Sequence, residues 1–161
     1  MFNQPNKNLR VHHKILLLLS LIVVAPGSVR TTAFAFQSSP TAEEKKLQVA
    51  SMQYDMIFLL IQNKNFDQVE AEWRKVLDQK LGAKYEKQIA DSLLDILYKL
   101  SEAKQFLLAQ KILDESLAAV SFSNKSKADI LRFKALLYKD SGDLDSAIKT
   151  MQQALELATE K

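Results

Sequence analysis

The chain has 161 residues and a formal net charge of +3, and it contains no cysteine and only two histidines, His12 and His13. The absence of cysteine excludes a disulfide-stapled scaffold, a lipoprotein held by a lipidated cysteine, and thiol chemistry.

The N-terminal segment has the organisation of a signal peptide. Residues 1–14 carry basic side chains and no acid, and residues 15–25 form an apolar run with one polar residue, Ser20. Ala33-Phe34-Ala35 follows the small-x-small pattern of a cleavage site, so residues 1–35 are predicted to be removed and the protein to be exported, periplasmic or secreted. Eleven residues span about 17 Å as a helix, against a hydrocarbon core of about 30 Å. The long polar part with Arg30 leaves an N-terminal membrane anchor as the alternative, and membrane contact is expected only through such an uncleaved segment.

Removal of residues 1–35 changes the charge of the protein. The segment holds four of the 22 basic residues and no acid, which leaves 18 basic against 19 acidic residues and a net charge of −1. A near-neutral chain lacks the positive field that favours phosphate backbones, so nucleic acid is not an expected partner. The remaining 126 residues are enough for one domain.

The rest of the chain is predicted to be helical. After residues 36–42, a short linker, no proline follows and only Gly82 and Gly142 remain. Apolar residues recur at helical spacing, as in the series Ile89, Leu93, Ile96, Leu97 and Leu100. The pair Thr41 and Glu44 and the pair Ser126 and Asp129 predict helix starts. Gly82 and Gly142 predict helix ends in the left-handed conformation.

Three similar passages indicate an internal repeat. Their anchor residues Val69, Ala109 and Ala147 lie 40 and 38 residues apart, which is a period typical of helical hairpins. The sequence therefore predicts an all-α fold, an α-solenoid of three antiparallel hairpins and about six helices within residues 43–161. Trp73, Leu113 and Met151 are expected to fill the space between hairpins.

The third passage carries a recognisable signature. It reads Ala135-x-x-Tyr138-x-x-x-Gly142-Asp143-x-Asp145-x-Ala147-Ile148-x-x-Met151-x-x-Ala154-Leu155, which resembles the tetratricopeptide repeat. The match is closest in residues 126–159 and weaker in residues 50–120. In the first two units Lys64 and Lys104 replace the usual glycine, Val69 replaces an alanine, and the spacing is longer than the family's.

The resemblance implies a protein-binding role without catalysis. In the family, the first helix of each hairpin lines a concave groove that binds a segment of a partner protein. Carried over to this sequence, the positions are Tyr54, Phe58, Leu94, Tyr98, Arg132, Leu136 and Lys139, with Gln62 and Glu102 beside them. Apolar side chains flanked by charges would suit an extended or helical peptide. The leading hypothesis is an adaptor or scaffold of the cell envelope, and the alternative for Phe58, Leu94 and Leu136 is an ordinary core position.

A second hypothesis is self-association. Arrays of this kind usually end in a polar cap, whereas Ile148 and Leu155 are predicted to lie at an uncapped C-terminal hairpin. The alternative function is therefore a structural subunit that forms a homo-oligomer through this hairpin, without a separate ligand.

Catalytic, metal and cofactor sites are not expected. Both histidines lie in the segment predicted to be removed, and two glycines cannot form a phosphate-cradling loop. The carboxylate pairs are Asp143 with Asp145, Asp91 with Asp95, and Glu70 with Glu72. Asp143 and Asp145 are predicted to cap a helix, because they lie at a turn between helices.

Overall fold

The computed structural model describes residues 39–160, which form six α-helices, one 3-10 turn and no strand. The helices are α1 (Ala42–Gln62), α2 (Phe66–Asp78), α3 (Glu86–Glu102), α4 (Phe106–Ala119), α5 (Asn124–Ser141) and α6 (Leu144–Thr159), and the 3-10 turn Ala83–Tyr85 precedes α3. The predicted all-α fold of six helices in hairpins is confirmed. The predicted signal peptide lies outside the described residues, and none of the helices described is both long and apolar enough to span a membrane.

The first helix begins as predicted and the fifth does not. The backbone N–H of Glu44 donates to Thr41 Oγ1 at 3.2 Å, and the N–H of Thr41 donates to Glu44 Oε2 at 2.7 Å, which completes a capping box. The hydrogen bond from the Thr41 N–H to the carboxylate, followed by the Thr41 side chain, lowers the pKa of Glu44. The predicted cap at Ser126 is wrong, because Ser126 donates its N–H to the true N-cap, Ser123.

The three hairpins close with the same turn. Lys64 (φ 60°), Lys104 (φ 61°) and Gly142 (φ 89°) all adopt the left-handed conformation. In each turn the next residue donates its N–H to the carbonyl five positions earlier: Asn65 to Leu60, Gln105 to Leu100, and Asp143 to Tyr138. The turns are 40 and 38 residues apart, like the predicted repeat. Residues at these two offsets therefore occupy equivalent positions, and this turn register is used below.

The link between the first two hairpins differs from its prediction. Gly82 was predicted to end α2 in the left-handed conformation, but α2 ends at Asp78 and Gly82 has φ −64°. Lys80, with φ 48°, takes the left-handed conformation instead. The glycine prediction is wrong here because a lysine tolerates the conformation at a modest energetic penalty.

The helices form a stacked array. The first helices α1, α3 and α5 contact each other in order, the second helices α2 and α4 contact each other, and α4 also contacts α5. Among the described helices, α6 contacts α5 alone. Ala147 and Ala154 are the buried apolar residues of α6, and their small side chains allow this close approach.

A buried polar chain joins the first two hairpins. Trp73 and Leu113, two of the residues expected between hairpins, are fully buried. Trp73 Nε1 donates to Ser116 Oγ at 2.8 Å, and Ser116 Oγ donates to the carbonyl of Ile112 at 2.7 Å. The indole N–H is thereby satisfied inside the core, as a buried donor requires.

Candidate partner-binding groove

The predicted groove residues form two rows across the first helices of the hairpins. Tyr54, Leu94 and Arg132 occupy one equivalent position in the turn register, and Phe58, Tyr98 and Leu136 occupy another. Because α1, α3 and α5 contact each other in order, each row crosses three neighbouring helices.

These rows line two adjoining depressions. The depression between α1 and α3 measures about 490 Å³ and is lined by Tyr54, Asp55, Phe58, Leu59, Asp95, Tyr98 and Lys99. The depression between α3 and α5 measures about 390 Å³ and is lined by Leu94, Asp95, Tyr98, Asp129, Arg132, Phe133 and Leu136. Asp95 and Tyr98 belong to both, so the two form one continuous surface, called the groove below. The structure thus brings together six of the seven predicted site residues.

Tyr54 and Phe58 form a structural part of the groove. Both pack against the core, and their ring centroids are 4.8 Å apart. The hydroxyl of Tyr54 donates to Asp95 Oδ2 at 3.0 Å, which ties α1 to α3. Burial, and then the negative charge of Asp95, raise the pKa of the Tyr54 phenol. Tyr54 therefore stabilises the groove as well as lining it.

Tyr98 and Leu136 are the accessible apolar side chains of the groove. Tyr98 is 54% exposed and Leu136 is 41% exposed, and they lie at equivalent positions on α3 and α5. Lys99 Nζ lies 5.4 Å from the centroid of the Tyr98 ring. A large exposed aromatic ring beside an aliphatic side chain is the kind of surface that anchors a protein ligand.

The charges of the groove are mainly negative. Asp55, Asp95 and Asp129 line it, against Lys99 and Arg132. Lys99 also donates to Glu102 Oε2 at 2.9 Å, and this bond lowers the pKa of Glu102. Three acidic side chains against two basic ones leave the lining of the groove with a small excess of negative charge.

Lys139 is the one of the seven predicted groove residues that lines neither depression. It is exposed, and its Nζ lies 4.0 Å from Asp140 Oδ1. Gln62 and Glu102, which were placed beside the groove, line neither depression either. All three follow the second row of groove residues by three or four positions, about one helical turn, and lie beyond the two depressions.

The carboxylates of the groove were not predicted. Asp55 and Asp95 are equivalent residues, 40 positions apart, and each follows a predicted groove residue. The signal that could have found them is this Asp, which directly follows a groove position in each of the first two hairpins.

Five of the six carboxylates in the pairs considered above have structural partners. Asp143 Oδ1 accepts the N–H of Ser146 at 3.1 Å, the cap that was predicted, and the Ser146 side chain and then this N–H lower the pKa of Asp143. Glu70, Glu72, Asp91 and Asp95 contact Lys111, Lys75, Lys87 and Tyr54, respectively. Within residues 39–160, no three His, Cys, Asp or Glu side chains cluster closely enough to hold a metal ion.

Comparison of the chain with protein-family models, with curated proteins and with solved structures finds no match. The class of protein is therefore defined by the fold itself. The described residues form an all-helical protein of repeated hairpins, an arrangement compatible with an α-solenoid.

Proposed function

We propose that this protein is a non-catalytic adaptor that binds a segment of another protein in the groove. The observation that carries the proposal is the apolar row of Phe58, Tyr98 and Leu136. Tyr98 and Leu136 are about half exposed, and they are the only large apolar side chains of α3 and α5 that are exposed. Exposed aromatic and aliphatic side chains that converge on one surface are typical of protein-binding hot spots.

The geometry of the row defines the kind of ligand. Neighbouring packed helices are about 8–10 Å apart, so anchoring pockets along the row repeat at about that distance. An extended segment covers about 10 Å in three residues at ~3.3 Å per residue, and a helix covers it in about seven residues at ~1.5 Å per residue. The proposed ligand carries apolar anchors at one of these spacings and basic residues that face Asp55, Asp95 and Asp129.

Membership of the tetratricopeptide class and export from the cytoplasm are part of the proposal. The identical turns at Lys64, Lys104 and Gly142 support the first, because the family places its turn glycine there. The basic, then apolar, N-terminal segment supports the second. Together they describe an adaptor of the cell envelope or of the exterior.

Site-specific photocrosslinking tests the proposal. A photoreactive amino acid is placed at position 98 of the full chain, and for comparison at position 107, where Leu107 is 83% exposed on α4 and lies outside the groove. The adaptor function predicts a crosslink from position 98 to one defined segment of a different protein and none from position 107. Crosslinks that are equal at both positions, or that join only copies of this chain, would contradict it.

Binding of the crosslinked segment, made as a peptide, then measures the contribution of single residues. Tyr98→Ala is expected to weaken binding at least about tenfold, since truncation of a central aromatic anchor usually costs about 2 kcal/mol or more. Leu107→Ala is the matched control and leaves affinity unchanged. Tyr98 is a better probe than Tyr54, because Tyr54→Ala also removes the hydrogen bond to Asp95.

A further inference from the structure

Two apolar stripes lie at opposite ends of the array, and only one of them was predicted. The α1 stripe consists of Val49, Met52, Met56 and Leu59, which are 42–64% exposed. The α6 stripe consists of Leu144, Ile148 and Leu155, each 60% exposed. Ile148 and Leu155 were expected at an uncapped end, whereas the α1 stripe was not recognised in the sequence.

Four of the eight positions equivalent to the α1 stripe are buried in the other two hairpins, and the remaining four are polar: Ser92, Lys99, Lys127 and Lys134, of which Lys99 and Lys127 are exposed. In the turn register Val49 and Met56 correspond to Ile89 and Ile96 on α3, while Met52 and Leu59 correspond to Ile130 and Leu137 on α5. These four isoleucine and leucine residues are at most 9% exposed. The α1 stripe is therefore the face that α3 and α5 turn toward the hairpin before them.

The positions of the α6 stripe are covered in the same way. Leu144 corresponds to Phe66 on α2 and Phe106 on α4, and Leu155 corresponds to Leu77 and Leu117. All four of these equivalents are partly buried and pack against the core. The α6 stripe is therefore the face that α2 and α4 turn toward the hairpin after them.

Two ion pairs confirm which positions meet between consecutive hairpins. Lys111 Nζ on α4 lies 2.7 Å from Glu70 Oε2 on α2, and Lys134 Nζ on α5 lies 2.6 Å from Asp114 Oδ1 on α4. The Glu70 position corresponds to Ile148 in the last hairpin, and the Lys111 position to Ala71 in the first. The Asp114 position corresponds to Gln152, and the Lys134 position to Met56.

The residues at these equivalent positions in the first and last hairpins are compatible with each other. If the first hairpin of one molecule followed the last hairpin of another, Ile148 would face Ala71 and Gln152 would face Met56. Both of these ion pairs are replaced on both sides by uncharged residues. The third ion pair between hairpins, Arg74 with Glu115, corresponds to Gln152 and Lys75, and Lys75 is already paired with Glu72 of its own helix. The stripes are also similar in length, about 15 Å over residues 49–59 and about 17 Å over residues 144–155 at ~1.5 Å per residue.

We infer that the chain self-assembles head to tail, with the α6 stripe of one molecule against the α1 stripe of a second copy. The contact places the last hairpin of one molecule against the first hairpin of the next, so it uses two different surfaces and extends into an open chain of molecules. The two stripes share only Leu59 with the groove, and the assembly supplies the counterpart that the predicted self-association of the C-terminal hairpin lacked.

The test uses full chains that carry Met56→Glu or Ile148→Glu, studied by sedimentation velocity across the micromolar to low millimolar range. A buried unpaired carboxylate is expected to weaken the contact at least about 100-fold, so each variant alone sediments as a monomer while the wild-type chain forms a series of oligomers. Mixed together, the two variants form a heterodimer and nothing larger. The Met56→Glu chain keeps an intact α6 stripe and the Ile148→Glu chain keeps an intact α1 stripe, so only one contact can form between them. Leu107→Glu is the matched control and assembles like the wild type.

Other results would overturn the inference. A wild-type chain that stays monomeric over this range would do so, and so would a mixture that remains monomeric. If only one variant loses assembly, the interface is formed by identical surfaces. If neither does, assembly occurs elsewhere in the chain. Circular dichroism confirms that both variants keep their helices.

Discussion

Tyr54 and Asp95 join α1 to α3 through a 3.0 Å hydrogen bond from the phenol to the carboxylate. Because burial and the Asp95 charge raise the pKa of Tyr54, the folded chain keeps the phenolic proton at a pH where the unfolded chain loses it. The stability that this bond contributes is therefore fully present below the pKa of an unfolded tyrosine, about 10, and decreases as the pH rises above it.

Tyr54→Phe is expected to destabilise the fold by about 1 kcal/mol at neutral pH, the usual contribution of one partly exposed hydrogen bond. Above pH ~10 the difference between wild type and variant should shrink, because only the wild type has a phenol at this position that ionises in the unfolded chain while the fold keeps it protonated. Urea unfolding at neutral and alkaline pH measures both values. A difference that stays constant or grows would show that the phenol does not titrate as argued.

Ser116→Ala is expected to destabilise the fold by about 1–3 kcal/mol, since it leaves the indole N–H of Trp73 without an acceptor in the core. In a Trp73→Phe background there is no indole N–H, so the same substitution should have a much smaller effect. Chemical unfolding of the four chains gives the coupling energy. Trp73 is the only tryptophan in the sequence, so its fluorescence reports the transition directly in the chains that retain it. Equal effects of Ser116→Ala in both backgrounds would contradict the proposed role.

Replacing the left-handed lysine at the first turn is expected to stabilise the fold. Lys64→Gly is expected to stabilise the fold by about 0.5–1 kcal/mol, because relief of about 1–2 kcal/mol of backbone strain exceeds the added entropy of an unfolded glycine. Gly142→Ala should have the opposite effect by about 1 kcal/mol, although no atom lies within 4 Å of the added Cβ. Lys64→Ala separates the backbone effect from loss of the lysine side chain, and thermal unfolding measures all three. Destabilisation by Lys64→Gly would refute the argument.

The repeat was predictable because it rests on local signals. Gly142 and the alanines around it identify the third turn. Counting back 38 and then 40 residues from Gly142 gives Lys104 and Lys64, where the other two turns lie. The six groove residues followed from the resemblance to the tetratricopeptide repeat. Lys139 does not line the groove, because its position lies about one helical turn beyond the two depressions, as do Gln62 and Glu102.

The ends of the array were harder to predict. Val49 and Met56 have the same spacing as Ile89 and Ile96, so their pattern indicates a buried face in both helices. Whether this face is buried depends on whether another hairpin packs against it, and the local sequence does not contain this information. The Tyr54 to Asp95 bond was missed for a related reason, since it joins residues 41 positions apart.

The last helix is expected to open before the rest of the fold. Since α6 contacts only α5 among the described helices, its unfolding exposes little surface of the other two hairpins. Hydrogen exchange at low protein concentration, where copies do not associate, should show faster exchange in α6 than in α3 and α4. Ala154→Val should increase this difference, because the larger side chain no longer fits against α5 and such overpacking usually costs about 1–3 kcal/mol. The same substitution at the exposed Ala158 is the control, and it changes only helix propensity, by about 0.5 kcal/mol. If α6 exchanges at the rate of the core helices in all three chains, the last hairpin unfolds together with the others and the array behaves as one cooperative unit.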